Sequence, residues 1–219
     1  MFQTLSLPPN VPICPAYIKT RYYYAEKSIY AKSRRIYRRP SLGSYGMESW
    51  DEWISKFSQK GYTSLLVSLD PEPSLRSSTT SQEILSSLES EFLSTLRSSS
   101  SSPSPFPPLL FASSLSSLLA ETYVSSHPLS GLVLENPLNP SSATGKFPEV
   151  FKTNLEEFNY EPFFPVAVIE EEGSEGERHR LVREFAGEED DELVRRIEGS
   201  RERDGTWEKV MEWMDENGL

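Results

Sequence analysis

The serine pair Ser113-Ser114 is the first candidate for chemistry, because it separates an apolar run that predicts a strand from a segment that predicts a helix. A serine hydroxyl becomes a nucleophile only when a neighbouring base takes its proton. Histidine is the usual base, and the chain contains two histidines, His127 and His179. Carboxylates that could orient such a base follow two other apolar runs, at Glu135 and at Glu170-Glu171-Glu172. These residue types are the ones that perform acyl transfer at a serine.

The elements that would position these residues alternate along the chain. The predicted helices span Met47–Lys60, Ser81–Leu96, Ser114–Ser125, Phe147–Phe158, Glu175–Ala186 and Thr206–Asn217. The predicted strands span Tyr62–Leu69, Leu109–Ala112, Gly131–Glu135, Phe164–Ile169 and Leu193–Ile197, and Ile36-Tyr37 could add one more. Strands that are continuous apolar runs and that alternate with helices predict an α/β fold, with a mostly parallel sheet flanked by helices on both faces.

Residues 109–137 (LLFASSLSSLLAETYVSSHPLSGLVLENP) carry a specific resemblance. The segment contains, in order, a strand, a serine at a sharp turn, a helix, a His-Pro pair and a second strand. The second strand ends near an acidic residue and a proline. This arrangement resembles the core of the α/β-hydrolase family, in which Gly-x-Ser-x-Gly forms the nucleophile elbow. The resemblance puts Ser114 at the nucleophile and Leu115 at the oxyanion donor. It extends more loosely from Ile36 to the end of the sequence.

Three parts of the family's apparatus depart from its pattern. The elbow here is Ala112-Ser113-Ser114-Leu115-Ser116, so both glycines are replaced by small residues. In place of the family's oxyanion loop stands Arg38-Arg39-Pro40, where proline has no N–H to donate, although Gly43–Gly46 could supply donors. The family's base lies in the loop after the last strand, and that loop, Glu198–Thr206, contains no histidine.

The two histidines are therefore predicted to have structural positions. His127 belongs to the His-Pro turn behind the elbow helix, and His179 is expected to be an exposed helix residue. No base for Ser114 is identified. Without a histidine to orient, Glu135 and the Glu170-Glu171-Glu172 run are expected to do nothing catalytic, and the glutamate run to be a solvated charge cluster. The connection between Pro137 and Phe163 is short, which implies a reduced lid.

Residues 1–40 differ in composition from the remainder, which is predicted to form one domain at 41–219. They hold eight basic residues and one acidic residue, which gives them a net charge of +7. Because the whole chain has a net charge of −11, residues 41–219 carry −18. An acid-poor basic start is typical of a mitochondrial transit segment. The alternative is a basic, Tyr/Arg-rich arm that docks on the acidic domain, and the tyrosine run Tyr22-Tyr23-Tyr24 favours it.

Composition and missing motifs exclude several other classes. The single cysteine, Cys14, cannot form an internal disulfide, and no apolar run is long enough to span a membrane. The chain has no phosphate-binding loop and no dinucleotide fingerprint, and its residue spacing indicates neither a metal site nor a cofactor. The serine- and proline-rich segment 98–108 predicts a low-complexity surface loop.

These observations lead to two hypotheses of function. The first is a catalytically inactive α/β-hydrolase-like protein that acts as a binding or scaffold module in a mitochondrial assembly, or in the cytoplasm if residues 1–40 are not a transit segment. Its basic arm would contact a partner protein with an acidic surface, or RNA. The alternative is an esterase- or lipase-like serine hydrolase that uses Ser114 with an unconventional base.

Overall fold

The computed structural model describes residues 15–20, 50–69, 71, 74, 78–98, 107–171, 178–187, 193–200 and 203–219, with residues 15–20, 68 and 98 as backbone alone. These residues form a six-stranded sheet with helices packed on it. The predicted strand at Ile36-Tyr37, and most of the predicted loop 98–108, lie outside the described part of the chain.

All strands of this sheet run in the same direction. They are β1 Pro15–Thr20, β2 Leu65–Leu69, β3 Leu109–Ser113, β4 Gly131–Glu135, β5 Val166–Glu170 and β6 Val194–Glu198. Their order across the sheet is β2-β1-β3-β4-β5-β6, and every neighbouring pair is parallel. The central strands β3, β4 and β5 are buried almost throughout, which explains their continuous apolar sequences.

Helices cover both faces of the sheet. They are α1 Asp51–Gln59, α2 Ser81–Ser98, α3 Leu115–Val124, α4 Pro140–Lys146, α5 Arg180–Phe185 and α6 Thr206–Glu216. Helices α1 and α6 pack on one face, and α2, α3 and α5 pack on the other. The predicted α/β fold, a parallel sheet flanked by helices on both faces, is therefore confirmed.

The alternation of side chains along β3 divides the hydrophobic core between the two faces. Leu110 and Ala112 belong to the core beneath α2 and α3. Phe111 points the other way, and its ring lies 6.2 Å from that of Trp53 and 5.3 Å from that of Phe57, both in edge-on geometry. Helix α1 ends at the left-handed Gly61 (φ +91°), as its sequence predicts.

Strand β1 is the main difference from the expected organisation. The sequence analysis assigns residues 1–40 to an arm or transit segment, whereas Pro15–Thr20 lies inside the sheet, between β2 and β3. Its backbone pairs with β2 from Ala16 to Thr20 and with β3 from Pro15 to Tyr17. Part of the basic segment is thus built into the fold, and removal of residues 1–40 would take away the strand that joins β2 to β3.

The helix predicted at Phe147–Phe158 is wrong. The helix in this connection is α4, which begins with Pro140 and precedes the predicted segment. Proline is well suited to the first turn of a helix, whereas Pro148 disfavours helical geometry at Phe147. The apolar residues Val150, Phe151 and Leu155, which suggested a helix, reach the core from an irregular chain.

Candidate functional site

Ser114 occupies a sharp turn between β3 and α3. Its backbone has φ +49° and ψ −121°, a conformation that a residue with a side chain rarely adopts. Such strain costs about 1–3 kcal/mol and persists only where the surrounding structure imposes it. The Ser114 side chain is exposed, and its hydroxyl makes no hydrogen bond within the described part of the chain. The turn therefore presents a hydroxyl above the end of the sheet, as the resemblance implies for a nucleophile.

Small residues and serine hydroxyls hold this turn in place. Ala112 is fully buried and Ser116 is 2% exposed, so the positions that the resemblance assigns to glycine are tightly packed. The Ser116 hydroxyl donates to the carbonyl of Ser113 at 2.8 Å and accepts from the Ser113 N–H at 2.9 Å. The Ser117 hydroxyl donates to the carbonyl of Ser114 at 2.6 Å. These local hydrogen bonds explain how the turn forms without glycine.

The topology places this turn where a ligand site is expected. Strand β2 lies on one side of β1 in the sheet, and β3, which comes next in the chain, lies on the other side of β1. The strand order therefore reverses between β1 and β3. Ligands of open α/β sheets bind at the carboxyl ends of the strands beside such a reversal. Ser114 follows the carboxyl end of β3. The Leu115 and Ser116 N–H groups begin α3, where no preceding turn provides acceptors.

Arg38-Arg39-Pro40 and the Gly43–Gly46 turn, the two sequence candidates for the oxyanion region, lie outside the described residues.

His127 lies at the opposite end of the elbow helix. Helix α3 has ten residues, a length of about 15 Å, and His127 follows its far end. The imidazole stacks on Tyr123 with 4.7 Å between ring centroids, and its Nδ1 lies 3.5 Å from Glu89 Oε1. This position agrees with the structural role that the sequence suggests, and it puts the ring far from Ser114.

The expectation that His179 is an exposed helix residue is wrong. His179 directly precedes α5 and is only 2% exposed. Its Nε2 lies 3.3 Å from Oε1 of Glu121, another buried residue, and its backbone N–H donates to Glu170 Oε1 at 3.3 Å. Glu121 is seven residues beyond Ser114 on α3, a rise of about 10 Å along the helix. The His179 ring therefore pairs with a carboxylate two turns away from the elbow.

The glutamate at the end of β5 is also paired. Glu170 is 5% exposed, and its Oε2 accepts from Arg196 Nε at 3.1 Å. The expectation that Glu170 belongs to a solvated charge cluster is wrong, because both of its carboxylate oxygens accept from protein donors. Of its two neighbours, Glu171 is exposed and Glu172 lies outside the described residues. Together Glu121, His179, Glu170 and Arg196 form what we name the buried polar cluster, which joins α3, α5, β5 and β6.

Two members of this cluster, Glu121 and Arg196, are absent from the sequence-based candidates. Glu121 has a signal in the sequence, because it is the one charged residue of the apolar helix α3. A single carboxylate in a helix that is buried all around requires a polar partner. Arg196 has no such signal, since it lies in a strand with several other charged residues.

Glu135 ends β4, next to the elbow. It is 3% exposed, and its carbonyl accepts from the Ser114 N–H at 3.0 Å. This backbone hydrogen bond extends the pairing of β3 with β4 by one residue into the turn. The next residue, Asn136, also has a left-handed backbone (φ +42°).

The loop after β6, where the resemblance would place a histidine base, instead packs closely on α6. A Cβ atom at Gly199 would approach Thr206 Oγ1 to 2.2 Å. Gly199 also has φ +156° and donates its N–H to the Glu170 carbonyl at 3.0 Å. The start of this loop therefore leaves no room for a side chain beside α6.

Among the described residues, no three His, Cys, Asp or Glu side chains are grouped as metal ligands would be. No helix in the described ranges is long and apolar enough to cross a membrane. No protein-family model matches the sequence, and a search of curated proteins finds no significant match.

Proposed function

We propose that this chain is an α/β-hydrolase-like protein that has lost catalysis and acts as a binding or scaffold module. The parallel sheet, the strained Ser114 turn after a buried strand and the helix that follows at once support the family resemblance. The strand reversal beside this turn supports a ligand or partner crevice there. The short connection between β4 and β5, with the seven-residue α4 as its helix, fits the reduced lid that the sequence implies.

The observation that carries the proposal is the position of the two histidines. The chain has no others, and both are among the described residues. His179 pairs with Glu121, and His127 stacks on Tyr123 at the far end of α3. A serine without a base to take its proton is a poor nucleophile at neutral pH. Ser114 therefore has the backbone of a nucleophile without its activating partner.

The acid of a triad is engaged elsewhere as well. The resemblance places it after β5, and there Glu170 accepts from Arg196 and from the backbone of His179. A carboxylate in a triad orients the imidazole of the base. Here the carboxylate neutralises a guanidinium and supports a loop, which is a structural role.

The alternative, an esterase- or lipase-like serine hydrolase, rests on Ser114 itself. A strained, exposed serine at the end of a strand is the geometry that such enzymes use. This alternative requires an unconventional base, and His179 would have to leave Glu121 to become one. It predicts that Ser114 reacts with electrophiles that trap activated serines.

Fluorophosphonate labelling of the purified chain separates the two functions. We expect no labelling of wild-type protein whose circular dichroism and cooperative thermal unfolding show that it is folded. Ser114→Ala removes the candidate nucleophile, and Ser126→Ala, an exposed serine after α3, is the matched control. Labelling that disappears in Ser114→Ala and persists in Ser126→Ala would overturn the inactive protein and establish the hydrolase.

The location and the partner of the basic segment are also proposals. Because β1 lies within residues 1–40, cleavage at residue 40 would remove a strand from the middle of the sheet. This favours a segment that is retained and that contacts an acidic protein surface or RNA, in a mitochondrial assembly or in the cytoplasm. Mass spectrometry of the protein recovered from isolated mitochondria would test both points. Its presence in that fraction gives the location, and its first residue shows whether the segment is cleaved.

A further inference from the structure

A group of three aromatic side chains, Tyr160, Phe163 and Phe164, precedes β5, and we name it the aromatic ledge. Tyr160 and Phe164 are partly buried against the core, and Phe163 is exposed. Phe163 is 81% exposed, the highest value among the large apolar side chains of the described residues. Its ring packs edge-on against Tyr160 with 6.4 Å between centroids, and the Phe164 ring lies 6.0 Å from Tyr160. Burial of such a ring against a partner contributes about 1.5–3 kcal/mol, so Phe163 is suited to serve as an anchor.

The ledge is held in a fixed shape although it has no regular secondary structure. The Phe163 N–H donates to the Tyr160 hydroxyl oxygen at 3.3 Å, and the Arg180 guanidinium donates to the Tyr160 carbonyl. Pro162, between Tyr160 and Phe163 in the sequence, is buried. Leu155 is also buried and anchors the preceding segment in the core. A partner would therefore meet a surface that is already ordered, which reduces the entropy lost on binding.

A second exposed apolar residue lies at the same edge of the sheet as the ledge. Leu193, 44% exposed, precedes β6, and its carbonyl accepts from the Val166 N–H at 2.7 Å. Val166 begins β5, directly after the ledge. Leu193 therefore lies beside Val166, three residues after Phe163, and both exposed residues precede strands at the amino-terminal edge of the sheet, whereas Ser114 lies at the carboxyl edge.

The Arg180 guanidinium is nearly buried and engaged by the Tyr160 carbonyl and by Glu184, so the exposed charges of the segment 156–163 are carboxylates, and these select the chemistry of the partner. Glu156, Glu157 and Glu161 are all exposed and lie in the segment that leads to Phe163. Carboxylates repel phosphate groups, so this surface is unsuited to nucleic acid and to anionic lipid. They attract lysine and arginine, which also bind the faces of aromatic rings. A basic segment with apolar side chains complements both features.

We propose that the aromatic ledge binds a lysine- or arginine-rich segment of a partner protein. Phe163 is the anchor that receives an apolar side chain or a guanidinium, and Glu161 neutralises a neighbouring positive charge. The surface lies on the opposite edge of the sheet from Ser114, so the inference stands whether or not that serine is reactive.

Fluorescence anisotropy tests this with the full chain and a fluorescein-labelled synthetic peptide of alternating arginine and leucine. We expect Phe163→Ser to weaken binding roughly tenfold, as loss of an aromatic anchor does. Glu161→Gln should weaken it by about twofold to fivefold, because an exposed charge pair contributes less. Leu66→Ser removes an exposed apolar residue elsewhere, and Glu212→Gln removes one exposed charge on α6. Both controls should bind as the wild type does.

Other outcomes would overturn the proposal. Equal binding by Phe163→Ser and Leu66→Ser would mean that the peptide recognises the overall negative charge. Self-association in sedimentation that Phe163→Ser abolishes would make a second copy of the chain the occupant. Attachment to phosphatidylserine vesicles that depends on Phe163 would point to a membrane instead. Labelling of Ser114 by a fluorophosphonate would leave all these results unchanged, so the two proposals fail separately.

Discussion

The elbow and the buried polar cluster lie about two turns apart along helix α3, and they are built in different ways. At the elbow the backbone is strained, and the Ser114 side chain is exposed and without a hydrogen bond to the described residues. In the cluster the side chains of Glu121, His179 and Glu170 are buried. The His179 ring contacts the Glu121 carboxylate, and the Glu170 carboxylate contacts Arg196 and the His179 backbone N–H. The Ser114 hydroxyl thus has no partner among the described residues, while the histidine and carboxylates of the cluster contact groups on neighbouring helices and strands.

This difference shows that a strained turn is weak grounds for catalysis by itself. The Ser114 conformation follows from the close connection of a buried strand to a buried helix, which small residues and serine hydroxyls allow. Packing alone can maintain such a turn, because the core on both sides of β3 fixes the strand and the helix. The state of the histidines discriminates between an enzyme and a binding module more sharply.

The largest expected effect comes from breaking the cluster at Arg196. Arg196→Leu leaves the Glu170 carboxylate, whose side chain is 6% exposed, without its guanidinium. A buried charge without its counterion is strongly destabilising, and because the Arg196 side chain is itself 22% exposed we expect a loss of about 2–3 kcal/mol of unfolding free energy. Urea denaturation followed by circular dichroism measures this loss.

The neighbouring arginine of the same strand provides a matched control. Arg195 pairs with Glu216, whose side chain is 46% exposed, so Arg195→Leu breaks a surface ion pair. Such pairs contribute about 0–1 kcal/mol. Similar losses for the two variants would show that the cluster has no special structural role, and the contrast with the elbow would then disappear.

A smaller effect of opposite sign is expected at the elbow. Ser114→Gly removes the side chain that disfavours φ +49°. The relief of strain should exceed the entropy cost of glycine and raise the unfolding free energy by about 0.5–1 kcal/mol. Ser114→Ala keeps the strain and serves as the control, and we expect it to stay close to the wild type. A destabilised Ser114→Gly variant would mean that the turn is relaxed in solution.

Much of the fold follows from local sequence, and two of the exceptions share one cause. The strand at Gly131–Glu135 and the helix at Thr206–Glu216 follow from uninterrupted local patterns. Strand β1 was missed because its partners, β2 and β3, come much later in the chain and because basic residues dominate its surroundings. The burial of His179 was missed for the same reason, since its partner Glu121 lies on a distant helix. Long-range pairing leaves no periodicity in the sequence, so neither strand β1 nor the burial of His179 could be predicted from local patterns.

The smallest expected effect lies away from both regions, at the start of α2, and tests how much a purely local motif contributes. Glu83 accepts hydrogen bonds from the Thr79 N–H at 2.7 Å and from the Thr80 N–H at 3.2 Å, and these hold its pKa below the usual value. The Thr80 hydroxyl accepts from the Glu83 N–H in return, which completes a capping box.

The lowered pKa gives this motif a defined dependence on pH. Ionised Glu83 stabilises the fold above its unfolded-state pKa, and the contribution disappears as the pH falls through the lower folded-state pKa. Glu83→Gln should therefore lower Tm by roughly one or two degrees at neutral pH and by progressively less in acid. Thermal unfolding at a series of pH values measures the difference, with the exposed Glu212→Gln as control. A deficit that is the same at every pH would assign the effect to the shape of the side chain, because only a carboxylate loses its charge in acid.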